Sequence, residues 1–492
     1  MEMFGLLFDG FSLLLGWQPI LVIVFGVVFG IFVGAMPGLS PSMGVALLVP
    51  FTYSMDPISA IILLAAVYLA ADYGGSITAV TINAPGTPAA AVTAFDGFPL
   101  TQQGKPGIGL GVSLIASTIG GTIGTILLIC FSGPLAKLAL SFHPAEYFAI
   151  AIFGLTSVGS IGGSQWAKAI LMAVFGLLLN TIGIDPISGV TRFSFGIAEL
   201  YDGFLLIPVL IGLFAVSEVL TQIQKGQLEE IDIETSRSQW PSIRDYFRLS
   251  PTILSSSVIG TIIGVFPGAG ATIASFVSYD VAKRFSRTPD KFGKGAPEGV
   301  AAAEAANSSS VGGALVPLLT LGIPGSASTA VLIGALMVHD VVPGPQLFQS
   351  NTKLIYGLFA SLLVANLVLL VLGVFGSRLW IRICSVPKPY LYPLVLSVAF
   401  VGSFAVRNSL FDVFTCFGFG VVGWYLRRHQ YPVVPIVLGM VLGSIVETNF
   451  RKAVLMEGYA VFVERPICLT ILLVSIGSIL IPIFLSKRKR TS

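Results

Sequence analysis

Charge is what this sequence has least of. Only 10% of its 492 residues are Asp, Glu, Lys or Arg, against roughly 25% in a soluble domain, which excludes a water-solvated globular fold. The net charge of +3 is too small to suggest a nucleic-acid partner. Cysteine is scarce too. Cys130, Cys384, Cys416 and Cys468 stand far apart, in or beside apolar runs, so neither a disulfide framework nor zinc spacing is available. They read as small buried hydrophobes. His143, His339 and His429 are equally scattered and offer no metal site. Glu2 and Asp9 precede the first apolar run without any Lys or Arg, so the N-terminus does not read as a cleavable signal peptide. Its first segment is expected to stay as a span. Walker A, the dinucleotide fingerprint and His-Glu-x-x-His are absent. No Ser/His/Asp or paired-aspartate constellation stands out either, so an enzyme is not indicated.

What the chain has is apolar sequence. It is 54% hydrophobic, with a mean hydropathy of +0.90 and 55 glycines. Runs of about 20 apolar residues recur, as spanning helices require, and glycine suits helices packed in lipid. The apolar segments lie near 11–35, 58–82, 108–132, 145–163, 167–184, 203–222, 251–266, 301–323, 327–341, 354–376, 390–405, 410–426, 433–448 and 466–486. Pieces 41–51 and 269–281 are too short to span. The expected fold is an all-α polytopic membrane protein of about 12 spans plus broken or re-entrant helices. A membrane repeat, 1–222, precedes a polar connector, 223–250. A second repeat, 251–486, and a basic tail, 487–492, follow.

The two repeats are read from Pro-Gly pairs. Gly30-x-x-x-Gly34-x-x-Pro37-Gly38 returns as Gly260-x-x-x-Gly264-x-x-Pro267-Gly268, an offset of 230. Pro85-Gly86 answers to Pro324-Gly325, an offset of 239, and Pro106-Gly107 to Pro343-Gly344, an offset of 237. The preceding Gly26, Gly30, Gly34, Gly260 and Gly264 read as packing positions. Backbone breaks at matching places in two halves point to a transporter site near the membrane midplane. Lys283, Arg284, Arg287, Lys291 and Lys294 crowd one loop and Lys487 to Arg490 close the chain, which marks both as cytoplasmic. The matching first-half loop, Tyr53 to Pro57, has no Lys or Arg, so the halves are expected to be inverted.

Ser40-Pro41 and Thr87-Pro88 read as N-caps followed by Pro at the first helical position. Asp56-Pro57, Asp185-Pro186 and Ser250-Pro251 read as ordinary helix starts. A half-helix beginning inside the membrane presents free N–H groups and a positive dipole end, a ready anion site. The candidate substrate-binding residues are therefore Gly38, Ser40, Ser42, Asn83, Gly86, Thr87, Gly268, Gly270, Thr272, Asn307, Ser308, Gly325, Ser326 and Ser328. Against each stands the plainer reading of kinks and helix packing. Intramembrane acids are functional candidates by default, and Asp72 stands out just before the Pro85 break. Asp72, Thr78 and Ser310 are the candidate cation ligands. The competing reading of Asp72 is a helix-end carboxylate at the water interface, and of Thr78 and Ser310 hydroxyls satisfied by their own helix. Asp185, Asp202, Asp280, Glu304 and Asp340 also lie in or beside apolar runs. Glu218 and Glu447 read as closing helices toward water. Arg192 and Arg407 either pair with substrate or snorkel.

Together these motifs resemble one family. Gly34-Ala-Met-Pro-Gly-Leu-Ser-Pro41, Tyr73-Gly-Gly-Ser-Ile-Thr-Ala-Val-Thr-Ile-Asn-Ala-Pro-Gly-Thr-Pro88, Gly264-Val-Phe-Pro-Gly-Ala-Gly270, Gly299-Val-Ala-Ala-Ala-Glu-Ala-Ala-Asn307 and Leu321-Gly-Ile-Pro-Gly-Ser326 resemble the large membrane subunit of the tripartite tricarboxylate transporters. The resemblance runs along essentially the whole chain. It implies a multi-pass protein of the bacterial inner membrane that imports tri- or dicarboxylates, coupled to Na+ or H+. It implies no other cofactor and two partners, a small membrane subunit and a periplasmic solute-binding protein. A carrier or channel for small organic anions that needs no binding protein is the alternative.

Overall fold

The computed structural model describes residues 2–36, 39–161, 166–185, 187–225, 240–267, 270–383 and 388–488. Among the described residues the fold is all-α apart from one small hairpin. The first half holds α1 (Glu2–Leu13), α2 (Trp17–Ala35), α3 (Pro41–Thr52), α4 (Pro57–Ile82), α5 (Ala90–Gln102), α6 (Pro106–Ala139), α7 (Pro144–Ile161) and α8 (Trp166–Asn180). The antiparallel strands β1 (Gly183–Ile184) and β2 (Thr191–Arg192) follow. Next come α9 (Leu206–Ile211) and α10 (Ser217–Lys225), joined through a π-helical turn over Gly212–Val216. The second half holds α11 (Ile243–Val265), α12 (Gly270–Phe285), α13 (Pro297–Leu321), α14 (Ala327–Val338), α15 (Leu347–Ser350), α16 (Thr352–Ile383), α17 (Lys388–Ala405), α18 (Leu410–Arg428), α19 (Val434–Glu457), α20 (Val461–Glu464) and α21 (Pro466–Arg488).

Among the described residues eight helices are long and apolar enough to cross a membrane, and six shorter apolar helices accompany them. α13 is not among these, because Glu304, Asn307 and three serines dilute its apolar run. Yet every residue from Gly299 to Thr320 is buried. α4 is buried almost throughout. Helices without an exposed face are core helices, and α4 and α13 form the centre of the molecule.

Local signals explain most starts. Ser40 caps α3 by accepting from the Met43 amide (3.2 Å), with Pro41 as first residue. Asp56 caps α4 through the Ser59 amide (3.0 Å), ahead of Pro57. The expected start at Thr87-Pro88 falls later: α5 opens at Ala90, whose amide bonds back to Thr87 (3.3 Å). Two expected starts are corrected. Pro251 lies inside α11, which begins at Ile243 under a reciprocal cap between Ser242 and Asp245. A side-chain cap on both partners outweighs a lone Ser-Pro pair. Asp185 starts no helix. Its carboxylate accepts from the amides of Ile187 (2.8 Å) and Ser188 (3.1 Å), closing the β1–β2 turn. That local competition with the backbone is the ordinary habit of Asp in turns.

The contacts of α2 on α4 recur for α11 on α13. Gly34 lies against the Ala71 carbonyl, and Gly264 against that of Ser310. Gly30 faces Val67 and Ala70, while Gly260 faces Ala306 and Ser309. Gly74 meets the Ile31 carbonyl, and Gly313 that of Thr261. Gly86 sits on the Cα of Gly75, and Gly325 on that of Ala314. Each pair is related by the offsets of 230 and 239 seen in the sequence. At most of these places a Cβ would overlap backbone, which is why glycine stands there.

α4 and α13 cross antiparallel. Asp72 lies opposite Asn307, and Ser76, one turn on, lies opposite Glu304, one turn back. Each half also lends a short helix to the other. α5 packs on α12 and α13, and α14 on α3 and α4.

Candidate functional site

The α4–α13 crossing gathers buried polar groups with few partners. The Asn307 side-chain amide donates to the Asp72 carbonyl (3.1 Å). Asp72 is 4% exposed, at mid-helix, so it is no interfacial carboxylate. Its Oδ2 has no hydrogen-bond partner, and neither do Oδ1 of Asn307 and Oγ of Ser308. Asp72 also has no ion-pair partner among the described residues. Burying an uncompensated carboxylate costs several kcal/mol. A carboxyl buried in this way is balanced either by a bound cation or by its own proton.

Two half-helix starts reach this crossing. Before α5, the Gly86 amide bonds to the Gly75 carbonyl (3.1 Å), and Thr87 lies against Gly75, one turn from Asp72. At α14, Ser326 and Thr329 form a capping box, and the Tyr68 hydroxyl on α4 meets Ser326 Oγ at 3.0 Å. Ser328 is buried in that first turn. Oriented N–H groups and the dipole of each start favour an anion.

The other expected residues stand differently. Ser40 and Ser42 touch each other (3.0 Å) at the start of α3. Gly270 opens α12 with φ 57°, and Thr272 lies half-buried in its first turn. Gly38 and Gly268 lie outside the described residues. Asn83 is exposed and closes α4 in the left-handed conformation, φ 54°. Thr78 bonds the Gly75 carbonyl (3.3 Å) and Ser310 that of Asn307 (2.7 Å). Those two hydroxyls serve their own helices, and among the described residues no hydrogen bond joins them to the Asp72 carboxylate. A cavity of about 220 Å³ between α6, α7 and the end of α11 is apolar, lined by Leu135, Phe142, Phe153, Phe266 and Ile323, and does not suit a carboxylate.

Sequence reasoning named Glu304 but gave it no role. It is 0% exposed. Its Oε1 accepts from Ser76 (2.5 Å) and from Thr93, and its Oε2 from Ser117 (2.8 Å). Asp96 was missed altogether. It is also 0% exposed. Its Oδ1 accepts from the amides of Gly293 (2.8 Å), Gly295 (2.9 Å) and Ala296 (2.8 Å), and its Oδ2 from the Tyr279 hydroxyl (2.8 Å). The signal was an acid inside a short apolar helix, Phe95-Asp96-Gly97. Its partners lie almost 200 residues away.

Several other charged residues pair with one another. Arg192 binds Glu447 (2.7 Å) and Arg451 binds Asp185 (2.9 Å), clasping the hairpin to α19. The Ile187 amide, the Arg451 guanidinium and the Ser188 amide hold the Asp185 carboxyl well below the usual range. Arg407 pairs with Asp412 (2.8 Å) and Glu218 with Arg427 (2.6 Å). Arg192 and Arg407 are thus bound by acids of the chain itself.

A family model described as "Tripartite tricarboxylate transporter TctA family" matches residues 20–438. The chain belongs to that family. It is 36% identical over 448 residues to an uncharacterized 52.8 kDa protein from the TAR-I ttuC′ 3′ region of Agrobacterium vitis, covering 91% of this chain and 89% of the relative. A second protein, from the TAR-II ttuC′ 3′ region of the same organism, is 37% identical over 234 residues, 46% of this chain and 97% of the relative. No solved structure matches. As a TctA-family member the chain is a multi-pass membrane component of tricarboxylate transport.

Proposed function

We propose that this TctA-family chain is the permease subunit of a cation-coupled secondary importer for tri- or dicarboxylates. It works in the bacterial inner membrane with a small membrane subunit and a periplasmic solute-binding protein. The observation that carries the reading is that Asp72 Oδ2 and Asn307 Oδ1 are both buried and unpartnered, on residues that meet at the α4–α13 crossing, with two half-helix starts packed on α4. A coupling cation, Na+ in the first instance, binds these oxygens. It lowers the cost of holding the Asp72 charge out of water. It also makes the crossing less repulsive to a carboxylate seated on the α5 and α14 N-termini at Thr87 and Ser326. Cation and substrate then favour each other's binding, which is what coupling requires.

The two halves act as inverted repeats. Recurrent glycine contacts at fixed offsets, the antiparallel α4–α13 crossing and the exchange of α5 and α14 support this. So does the basic loop Lys283–Lys294, whose counterpart at the start of α4 lacks Lys and Arg. Rocking of one half against the other about the crossing would expose the site alternately.

Uptake of labelled carboxylate into proteoliposomes tests the reading. Accumulation should need the binding protein outside and should collapse with the sodium gradient. Transport that proceeds without a binding protein would favour the independent carrier, and sodium-indifferent uptake would sink the assignment of the ion.

A further inference from the structure

Beyond marking orientation, the basic loop Lys283–Lys294 has no task so far. Most of its charge is unspent. Lys283, Arg287, Lys291 and Lys294 are exposed and make no ion pair among the described residues, while Arg284 pairs with Asp280 (2.6 Å). Arg248 on α11 is likewise exposed and outside any such pair. The neighbouring acids have other work. Asp245 is held by Ser242 in the cap of α11. Glu298 accepts from Ser286 (2.6 Å) and from Thr252 (3.4 Å). Asp290 is the one acid between Lys283 and Lys294.

Glu298 also fixes where these cations sit. Ser286 follows directly on α12, and Thr252 lies one turn after Arg248 on α11. Their shared carboxylate brings the end of α12 beside the first turns of α11. Arg248 and the turn Lys283–Arg287 therefore share one rim. Beyond that rim the surface is apolar. α11 exposes Leu254, Val258 and Ile262, one turn apart on a single face, and Phe247 two turns before Leu254. α12 exposes Phe276 and Val277 and ends on Phe285, which is 86% exposed.

A surface that runs from aliphatic side chains through aromatic rings to unpaired cations matches an amphiphile lying along it. Acyl chains suit the aliphatic stripe, rings suit the boundary, and a phosphate suits the cations. A free anion in water would use the cations and leave Phe247 and Phe285 uncovered. We propose that the α11–α12 rim binds an anionic phospholipid, its phosphate held by Arg248, Lys283 and Arg287 and its chains laid against Leu254, Val258 and Ile262. Arg can grip two phosphate oxygens at once and Lys adds a point charge. A zwitterionic headgroup is bound less well, because its own cation meets the same Arg and Lys side chains. The lipid braces the α11–α12 pair at the end away from the Pro267 break. The site needs only the membrane, not the transporter reading.

Hydrogen exchange of the full-length protein in nanodiscs tests the site, with discs of phosphatidylcholine alone set against discs that also hold phosphatidylglycerol. Phosphatidylglycerol should slow exchange several-fold at residues 244–252 and 283–292 and leave the β1–β2 hairpin unchanged. Combining Arg248→Gln, Lys283→Gln and Arg287→Gln, all at exposed positions, should abolish that difference. Native mass spectrometry of the released protein gives a second readout. Its preference for phosphatidylglycerol over phosphatidylcholine should fall about fivefold for each of the three cations removed. Equal exchange in the two kinds of disc, protection that the triple variant keeps, or a lipid preference that it does not lower overturns the proposal. So does the same protection from inorganic phosphate added to phosphatidylcholine discs, which would make the ligand a free anion.

Discussion

The side-chain amide of Asn307 donates to the backbone carbonyl of Asp72, 3.1 Å away, where α13 crosses α4. This bond spans 235 residues of sequence. It joins the two central helices at the level where Asp72 Oδ2 and Asn307 Oδ1 lie buried without partners. The proposed mechanism follows from that crossing.

If the halves are structural repeats, matched glycines should respond alike. Gly34→Val and Gly264→Val each force a side chain into a carbonyl of the central helix. Each should destabilise the protein by about 1–3 kcal/mol or more, the usual cost of overpacking. Thermal unfolding in detergent gives the comparison. A large loss for one and none for the other would contradict the matched packing.

The Glu304 cage predicts a graded loss. Ser117→Ala removes the donor to Oε2 and should cost about 1–3 kcal/mol, because a buried acceptor loses its partner. Ser76→Ala leaves Thr93 on Oε1 and should cost less. Equal stability of both variants and the wild type would show that the cage does not hold the helices together.

Asp96 pins the loop before α13 through three backbone amides. Asp96→Asn leaves one oxygen where two accepted, so the loop around Lys291 and Lys294 should loosen. Trypsin should cut there several-fold faster in the variant. An unchanged cleavage rate would mean that Gln103, which donates to the Lys294 carbonyl (2.8 Å), is enough to hold it.

The Asp185 clasp carries a pH signature. Its folded-state carboxyl titrates below the ordinary value of about 3.9. The stabilisation it gives is therefore present above that ordinary value and is lost as pH falls through the lower, folded one. Hydrogen exchange should find the hairpin at Gly183–Arg192 protected at neutral and mildly acidic pH and open only under strong acid. In Asp185→Asn the protection should be weaker and should not vary with pH in this way.

The sequence was most legible where structure is local. Asp56-Pro57 and Ser40-Pro41 cap the helices expected of them, because a cap and its amide lie within three residues. The same dipeptide logic misplaced Ser250-Pro251, since the reciprocal cap at Ser242 and Asp245 starts α11 earlier. At Asp185 a turn took the carboxylate that a helix was expected to use. The repeated glycines were readable because their spacing is fixed by helix packing. What could not be read was the partnership of distant groups. Asn307 was a candidate as a hydrogen-bonding side chain near the expected half-helix starts, but nothing nearby in the sequence joins it to Asp72. The hydroxyls around Glu304 come from 187 to 228 residues away. Thr78 and Ser310 each bond a carbonyl of their own helix, one of the two readings the sequence left open for them.

The most direct test of the central claim is the thermal stability of the purified protein as sodium is titrated against a choline background at constant ionic strength. Sodium should raise the unfolding temperature of the wild type progressively, as any ligand bound only by the native state does. Asp72→Asn should start from a higher temperature without sodium, since its buried charge is gone, and should not respond to the ion. A sodium response that is equal in Asp72→Asn and the wild type would contradict the account.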